Sequence, residues 1–152
     1  MLKVAIVGSR EHPDPSVVVP MIYSLTERYG REGWMLVSGG APGVCERAER
    51  TAQDHWVTVM SFRPYQVAGD EWRARKWTLG QYPSVETLQD PHPCWASFSG
   101  AAFYRSLLIA QEADKALVYW NGRSRGTQHE IDFFAAANVP TYIYRSDHGE
   151  QE

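Results

Sequence analysis

Five short apolar runs constrain the fold of this chain most. They lie at residues 4–7 (VAIV), 34–37 (WMLV), 57–60 (VTVM), 116–120 (ALVYW) and 141–144 (TYIY). Each has strand length and is rich in β-branched or aromatic residues. None shows the strict polar alternation of a sheet with one wet face, so they read as parallel strands covered on both sides. The segments between them carry a helical period. Val17, Met21 and Leu25 share one face, with Gly30 placed to end that helix. Pro20 falls early in the segment, where a helix starts late or kinks. Val44, Ala48 and Ala52 form a second, small-residue face. Ala102, the run 107–110 and Ala113 predict a third helix, and 130–138 predicts a fourth that stops before Pro140.

Strand and helix alternate almost throughout. The expected fold class is therefore α/β: a Rossmann-like three-layer sandwich with a mainly parallel sheet of five or slightly more strands and helices on both faces. With 152 residues the chain suffices for one such domain, expected over 1–145, followed by a polar tail at 146–152. The exception to the alternation is 64–100, which has no clean period and holds Pro83, Pro91 and Pro93 together with Trp72, Trp77 and Trp95. An aperiodic stretch of that length reads as a lid or binding loop, and its tryptophans argue against disorder. Within it, Asp70 to Lys76 (DEWRARK) reads as a solvated helix face.

Bulk properties exclude several classes. No apolar run is long enough to span a bilayer, and the N-terminal MLKVAIVGSR is too short for a signal peptide and reads as the first strand. Cys45 and Cys94 form no Cys-x-x-Cys pair and the five histidines are scattered, so no metal is expected and a cytoplasmic setting is. The formal charge of −3 argues against nucleic acid as a partner.

Glycine-rich turns follow three of the strands. They are Gly8-Ser9-Arg10, Ser38-Gly39-Gly40-Ala41-Pro42-Gly43, and the turn from Asn121 through Gly122, Arg123, Ser124, Arg125 and Gly126 to Thr127. In an open parallel sheet all three fall on the carboxyl edge, where ligands bind. Glycines admit close backbone approach, helix N-termini offer free N–H groups, and the serines, Thr127 and the arginines add donors suited to phosphate. There is no G-x-G-x-x-G and no G-K-[ST], so neither a dinucleotide fingerprint nor a P-loop is present. The alternative is three ordinary strand–helix turns. No separate cofactor is expected; the expected ligand is itself a nucleotide or nucleotide-like phosphate. Trp120, at the end of the fourth run, is placed to stack on a base. Cys45, at a helix start, is placed for a lowered thiol pKa but has no base in view.

At these residues the chain resembles the SLOG superfamily, the Rossmann-like group that includes the LONELY GUY phosphoribohydrolases and the DprA DNA-processing proteins. It is most similar to the small YspA-like branch, with its Gly-Ser-Arg start, Ser-Gly-Gly-Ala-x-Gly turn and Gly-x-Ser-x-Gly-Thr turn. The resemblance spans about 2–144 apart from 64–100. It implies a ligand-binding or sensing domain whose phosphate contacts are Gly8, Ser9, Arg10, Ser38, Gly39, Gly40, Ala41, Gly43, Gly122, Ser124, Arg125, Gly126 and Thr127. It also implies two other activities: N-glycosidic hydrolysis of a nucleoside monophosphate, and single-stranded DNA binding. For hydrolysis, the family's helix arginine matches Arg105 and its Gly-Thr-x-x-Glu matches Gly126, Thr127 and Glu130. By that similarity Arg105 contacts the phosphate or leaving group, and Glu130 stabilises an oxocarbenium-like ribose or activates water. Two departures stand out: Asn-Gly-Arg-Ser-Arg-Gly-Thr replaces the hydrolases' Pro-Gly-Gly-x-Gly-Thr, and Ser106 stands where the YspA-like branch has Asn. Plain alternatives are a Glu130 favoured by the dipole of a first helical turn and an Arg105 paired with a neighbouring acid. A homodimer is implied by resemblance alone.

Overall fold

The computed structural model describes residues 1–68, 71–79, 85–86 and 98–147; for 64–68, 71–79, 85–86, 98–101 and 103 it describes the backbone. Trp95, Cys94, Pro83, Pro91 and Pro93 lie outside the described residues, as do 148–152 of the expected tail.

The strands are β1 (Leu2–Gly8), β2 (Trp34–Ser38), β3 (Val59–Ala68), β4 (Glu71–Leu79), β5 (Val85–Glu86), β6 (Lys115–Trp120) and β7 (Thr141–Arg145). They form one sheet in the order β5-β4-β3-β2-β1-β6-β7. Its five strands from β3 to β7 run parallel, and β4 and β5 are added antiparallel at the β3 edge. All five apolar runs are strands of the parallel set. Residues 57–60 enter late, because Val57 is spent closing the preceding helix: its N–H donates to Ala52 O at 2.9 Å.

Two buried clusters make the layers. On one face Val4, Ile6, Leu36 and Leu117 of the sheet meet α1 (Val18–Tyr29) and α2 (Val44–Asp54). On the other, Ala5, Val7, Val37 and Val118 meet α3 (Phe98–Glu112) and α4 (Arg125–Ala136). Val44, Ala48 and Ala52 are fully buried, as the small-residue face requires. In α1 the buried stripe is Val18, Ile22 and Leu25 rather than Val17, Met21 and Leu25. Val17 is exposed because it closes a 3-10 turn over Pro15–Val17 that precedes the helix. Pro20 is then the third residue of α1, where a missing N–H breaks no intrahelical bond. Gly30 ends the helix with φ 78°.

The segment from 64 to 100 is more regular than its composition indicates. β3 runs on past its last partner in β2, Ser61, and pairs antiparallel with β4 from Val59↔Leu79 to Ala68↔Glu71. Residues 71–76, expected as a helix face, are therefore strand. The free backbone edge of β3 supplies the hydrogen bonds, and a charged period-free stretch carries no sign of that partner.

Candidate functional site

The three turns do lie at the carboxyl edge of the parallel strands, but they serve different purposes. A cavity of about 800 Å³ opens there. The β1 turn gives it Gly8, Arg10 and Glu11; the second turn gives only Ala41. Helix α3 gives Ala102, Arg105 and Ser106. The β6–α4 turn and the start of α4 give Asn121, Arg123, Ser124, Gly126, Thr127, His129 and Glu130.

The first and third turns are pinned to each other. Ser9 is buried; its N–H donates to Tyr119 O at 3.0 Å, its Oγ accepts from the N–H of Asn121 at 3.1 Å, and it lies 3.1 Å from Thr127 Oγ1. Asn121 Oδ1 accepts the N–H groups of Arg123 (2.9 Å) and Ser124 (2.8 Å). Ser124 is the N-cap of α4, its Oγ accepting from Thr127 N–H at 3.3 Å. The N–H groups of Arg125 and Gly126, in the first turn, have no intrahelical acceptor by construction. Asn121 thus sets the shape of the turn that Ser124 caps, a role the hydroxyl and glycine pattern did not single out. Its position two residues before Arg123 is the Asx-turn signal that could have found it.

The second turn is clasped from within. Gly39 O accepts a short hydrogen bond from Arg105 Nη1. Ser38 and Ser61 direct their hydroxyls to Glu49 Oε2 at 3.3 and 3.4 Å, and Arg63 Nη2 lies 2.6 Å from Glu49 Oε1. Gly40 has φ 67°, and a Cβ there would run into the Arg63 guanidinium. Ser38, Gly39 and Gly40 therefore do not line the cavity. Neither does Gly43, which is the N-cap of α2, nor Gly122, which lies against Asp147 and Arg145. Arg125 is exposed at the first position of α4, outside the cavity lining. Trp120 is turned away from it: its indole N–H donates to Ser124 O at 3.1 Å and the Arg145 guanidinium sits 4.9 Å from its ring centre.

No family model matches this chain, and neither does any curated protein. Among solved structures it is similar to DNA processing protein A from Helicobacter pylori, described for its single-stranded DNA binding mode, with a TM-score of 0.60 at 20% identity. The similarity covers 93% of this chain and 64% of that one, so the chain spans about two thirds of its neighbour's length. A second match is TM1055, a structural-genomics target, with a TM-score of 0.58 at 23% identity over 93% of this chain and 72% of that one. The chain shares the fold of these two structures.

Within this fold, Arg105 and Glu130 are brought to one cavity wall from different helices. Arg105 is buried and its Nε also donates to Ala102 O at 3.3 Å. The Glu130 carboxyl makes no hydrogen bond or ion pair among the described residues. Burial pushes its carboxyl up to about 7, with the Arg105 charge pulling the other way. Glu130 is the sixth residue of α4, because the helix starts at Arg125. It lies beyond the first turn, so the helix dipole, which falls off within that turn, does not account for it. Cys45 departs from expectation in the opposite sense. It is buried, and burial together with the nearby Glu130 carboxylate raises the thiol to about 11, which removes it as a nucleophile. Among the described residues no cluster of three or more His, Cys, Asp or Glu is placed to hold a metal ion, and no helix is long and apolar enough to cross a membrane.

Proposed function

We propose that this chain binds a nucleotide or nucleotide-derived phosphorylated ligand in the cavity at the carboxyl edge of its sheet. One observation supports the reading: a partly buried carboxyl, Glu130, faces a cavity without a side-chain hydrogen bond or ion pair among the described residues, while three arginines line the same space. A carboxyl left without a partner is costly to the fold, so a ligand hydroxyl or base N–H is its natural complement. Arg10, Arg105 and Arg123, with the N–H groups that open α4, suit the phosphate. The cavity volume falls in the range of small-molecule sites.

A second reading is hydrolysis of the N-glycosidic bond, and the position of the Glu130 proton favours it. A carboxyl that titrates near neutrality can take a proton from water as that water adds to the anomeric carbon. The C–N bond to the base breaks as the C–O bond forms; the departing nitrogen keeps the bonding pair and takes up the proton that Glu130 received from the water. Single-stranded DNA, bound by the Helicobacter pylori protein, ranks third here because of the acidic net charge.

Calorimetry with a panel of nucleoside monophosphates, the matching nucleosides and an oligodeoxythymidylate tests all three, with free base read by chromatography. Monophosphates should bind at least about tenfold more tightly than nucleosides, as expected for charge-assisted contacts. Arg105→Ala should remove that preference. If bases are released, Glu130→Gln should stop release and leave binding within about threefold. Equal affinity for nucleosides and monophosphates would overturn the phosphate site, and tighter binding of the oligonucleotide would move the reading to DNA.

A further inference from the structure

Strand β7 closes the sheet on the side opposite β5, and its outer edge is open among the described residues. It is also apolar and accessible: Tyr142 is 52% exposed, Ile143 44% and Tyr144 41%. Natural edge strands are usually blunted by Lys, Pro, a bulge or a covering loop. Among the described residues β7 has none of these. Its one charge, Arg145, is bound by Asp147 through Nε (3.0 Å) and Nη2 (2.7 Å). After Arg145 the chain turns towards Gly122, with Asp147 against that glycine, and so leaves the free edge uncovered as far as it is described.

The sequence of the edge is close to a palindrome, Thr-Tyr-Ile-Tyr-Arg. In a parallel ladder alternate residues turn both backbone groups to the same neighbour. Ala116 N–H donates to Pro140 O at 2.9 Å, so Pro140, Tyr142 and Tyr144 face β6. Thr141, Ile143 and Arg145 then present their N–H and C=O groups outward. A two-fold axis through Ile143 would set Ile143 opposite itself and Thr141 opposite the partner's Arg145, in each case as a doubly hydrogen-bonded pair. The residues whose backbone is already engaged with β6 would meet as Tyr142 against the partner's Tyr144. Aromatic cross-strand pairs of that kind stabilise a sheet. Tyr144 is already stacked on Tyr119 with ring centres 5.0 Å apart, so the aromatic row would be held in place before association.

We propose that β7 pairs antiparallel with β7 of a second copy of this chain, joining the two sheets about an axis at Ile143. The interface is isologous, as a two-fold dimer requires. Because the joined strands run in opposite directions, the two cavities open at opposite ends of the joined sheet. Dimer formation and ligand binding are therefore separable.

Sedimentation velocity on the full chain tests the pairing. The wild type should be a dimer at tens of micromolar. Ile143→Pro removes an outward N–H that β6 does not use, an edge position that proline tolerates. It should give a folded monomer, with far-UV circular dichroism and melting close to wild type and a dimer dissociation constant raised by about a hundredfold or more. Ile143→Lys, which keeps the N–H, should do the same and stands in if the proline variant does not fold. A wild type that stays monomeric to about 100 µM would overturn the proposal. So would a dimer that survives both substitutions, or association without a defined stoichiometry.

Discussion

The turn after β2 and the turn after β6 look alike in sequence: each ends a parallel strand, holds two or more glycines and at least one hydroxyl, and leads into a helix. In the molecule they are opposites. The β6 turn spends its polar side chains on its own shape, through Asn121 and Ser124, and so presents the N-terminus of α4 to the cavity. The β2 turn is filled by protein: Arg105 binds the Gly39 carbonyl, and Arg63, tied to Glu49, fills the space that Gly40 leaves. Glycine at a sheet edge reports that something comes close to the backbone; it does not report whether that is a ligand or an arginine of the same chain.

The two carboxylates of these regions give the sharpest way to break the comparison, since their removal should change stability in opposite directions. Glu49 is buried and accepts from Ser38, Ser61 and Arg63. Glu49→Ala should leave two buried hydroxyls without their acceptor and Arg63 without its counter-charge, a loss of about 3 kcal/mol, reduced because Arg63 reaches water. For a chain of this size that corresponds to a melting temperature lower by roughly 10 °C. A change under about 1 kcal/mol would show that the clasp is ornamental.

Glu130 should behave the other way, and with a pH signature. Its carboxyl rises from 4.5 in the unfolded chain to about 7 in the fold. A raised folded value means that the folded state holds the proton more tightly. The stability contributed by the protonated acid is complete below pH 4.5 and is lost as pH rises through 7. Glu130→Gln keeps the shape and discards the ionisation. It should match wild type near pH 4.5 and exceed it at pH 8 by about 1–3 kcal/mol, measured by urea unfolding at the two values. A Gln variant that is less stable than wild type at pH 8 would mean that Glu130 has a partner in the fold and is not held for a ligand.

How much of this was legible in the sequence follows the same division. The apolar runs and the small-residue face of α2 are local signals, and burial on both sheet faces translates them directly into parallel strands and packed helices. β4 was not legible because a strand edge supplied by β3 is a tertiary fact, and DEWRARK carries no period of its own. At the site, Gly8, Arg10, Ala41, Arg105, Ser124, Gly126, Thr127 and Glu130 do line one cavity. Ser38, Gly39 and Gly40 carry the same sequence signal and are covered by protein groups instead. What diverted them is Glu49, eleven residues beyond Ser38 on the next helix, with Arg63 beyond it on β3. A salt bridge between distant elements leaves no spacing to read. Trp120 lies outside the cavity lining for a similar reason: the guanidinium on its ring is Arg145, from the neighbouring strand.

The smallest effects bear most directly on the two turns, because they compare one glycine from each. At Gly40 the backbone is left-handed, which costs an L side chain about 1–2 kcal/mol, and an added Cβ must also displace the Arg63 guanidinium. Gly40→Ala should therefore destabilise by about that much, while nucleotide affinity, measured under conditions where the variant is folded, stays within about threefold of wild type. Gly126 is an ordinary helical position where, among the described residues, a new Cβ would meet just Ser124 Oγ at 3.9 Å. Gly126→Ala should stabilise by about 0.5 kcal/mol, since alanine is the better helix former. Yet its methyl would project at the first turn of α4, where the anion must approach the N–H groups, so affinity should fall by about tenfold. Melting curves and titrations on the two variants thus give a crossed pattern: stability falls and binding holds at one turn, stability rises and binding falls at the other. If both variants lose affinity alike, the β2 turn reaches the ligand after all, and the clasp formed by Arg105 and Arg63 must open when the ligand binds.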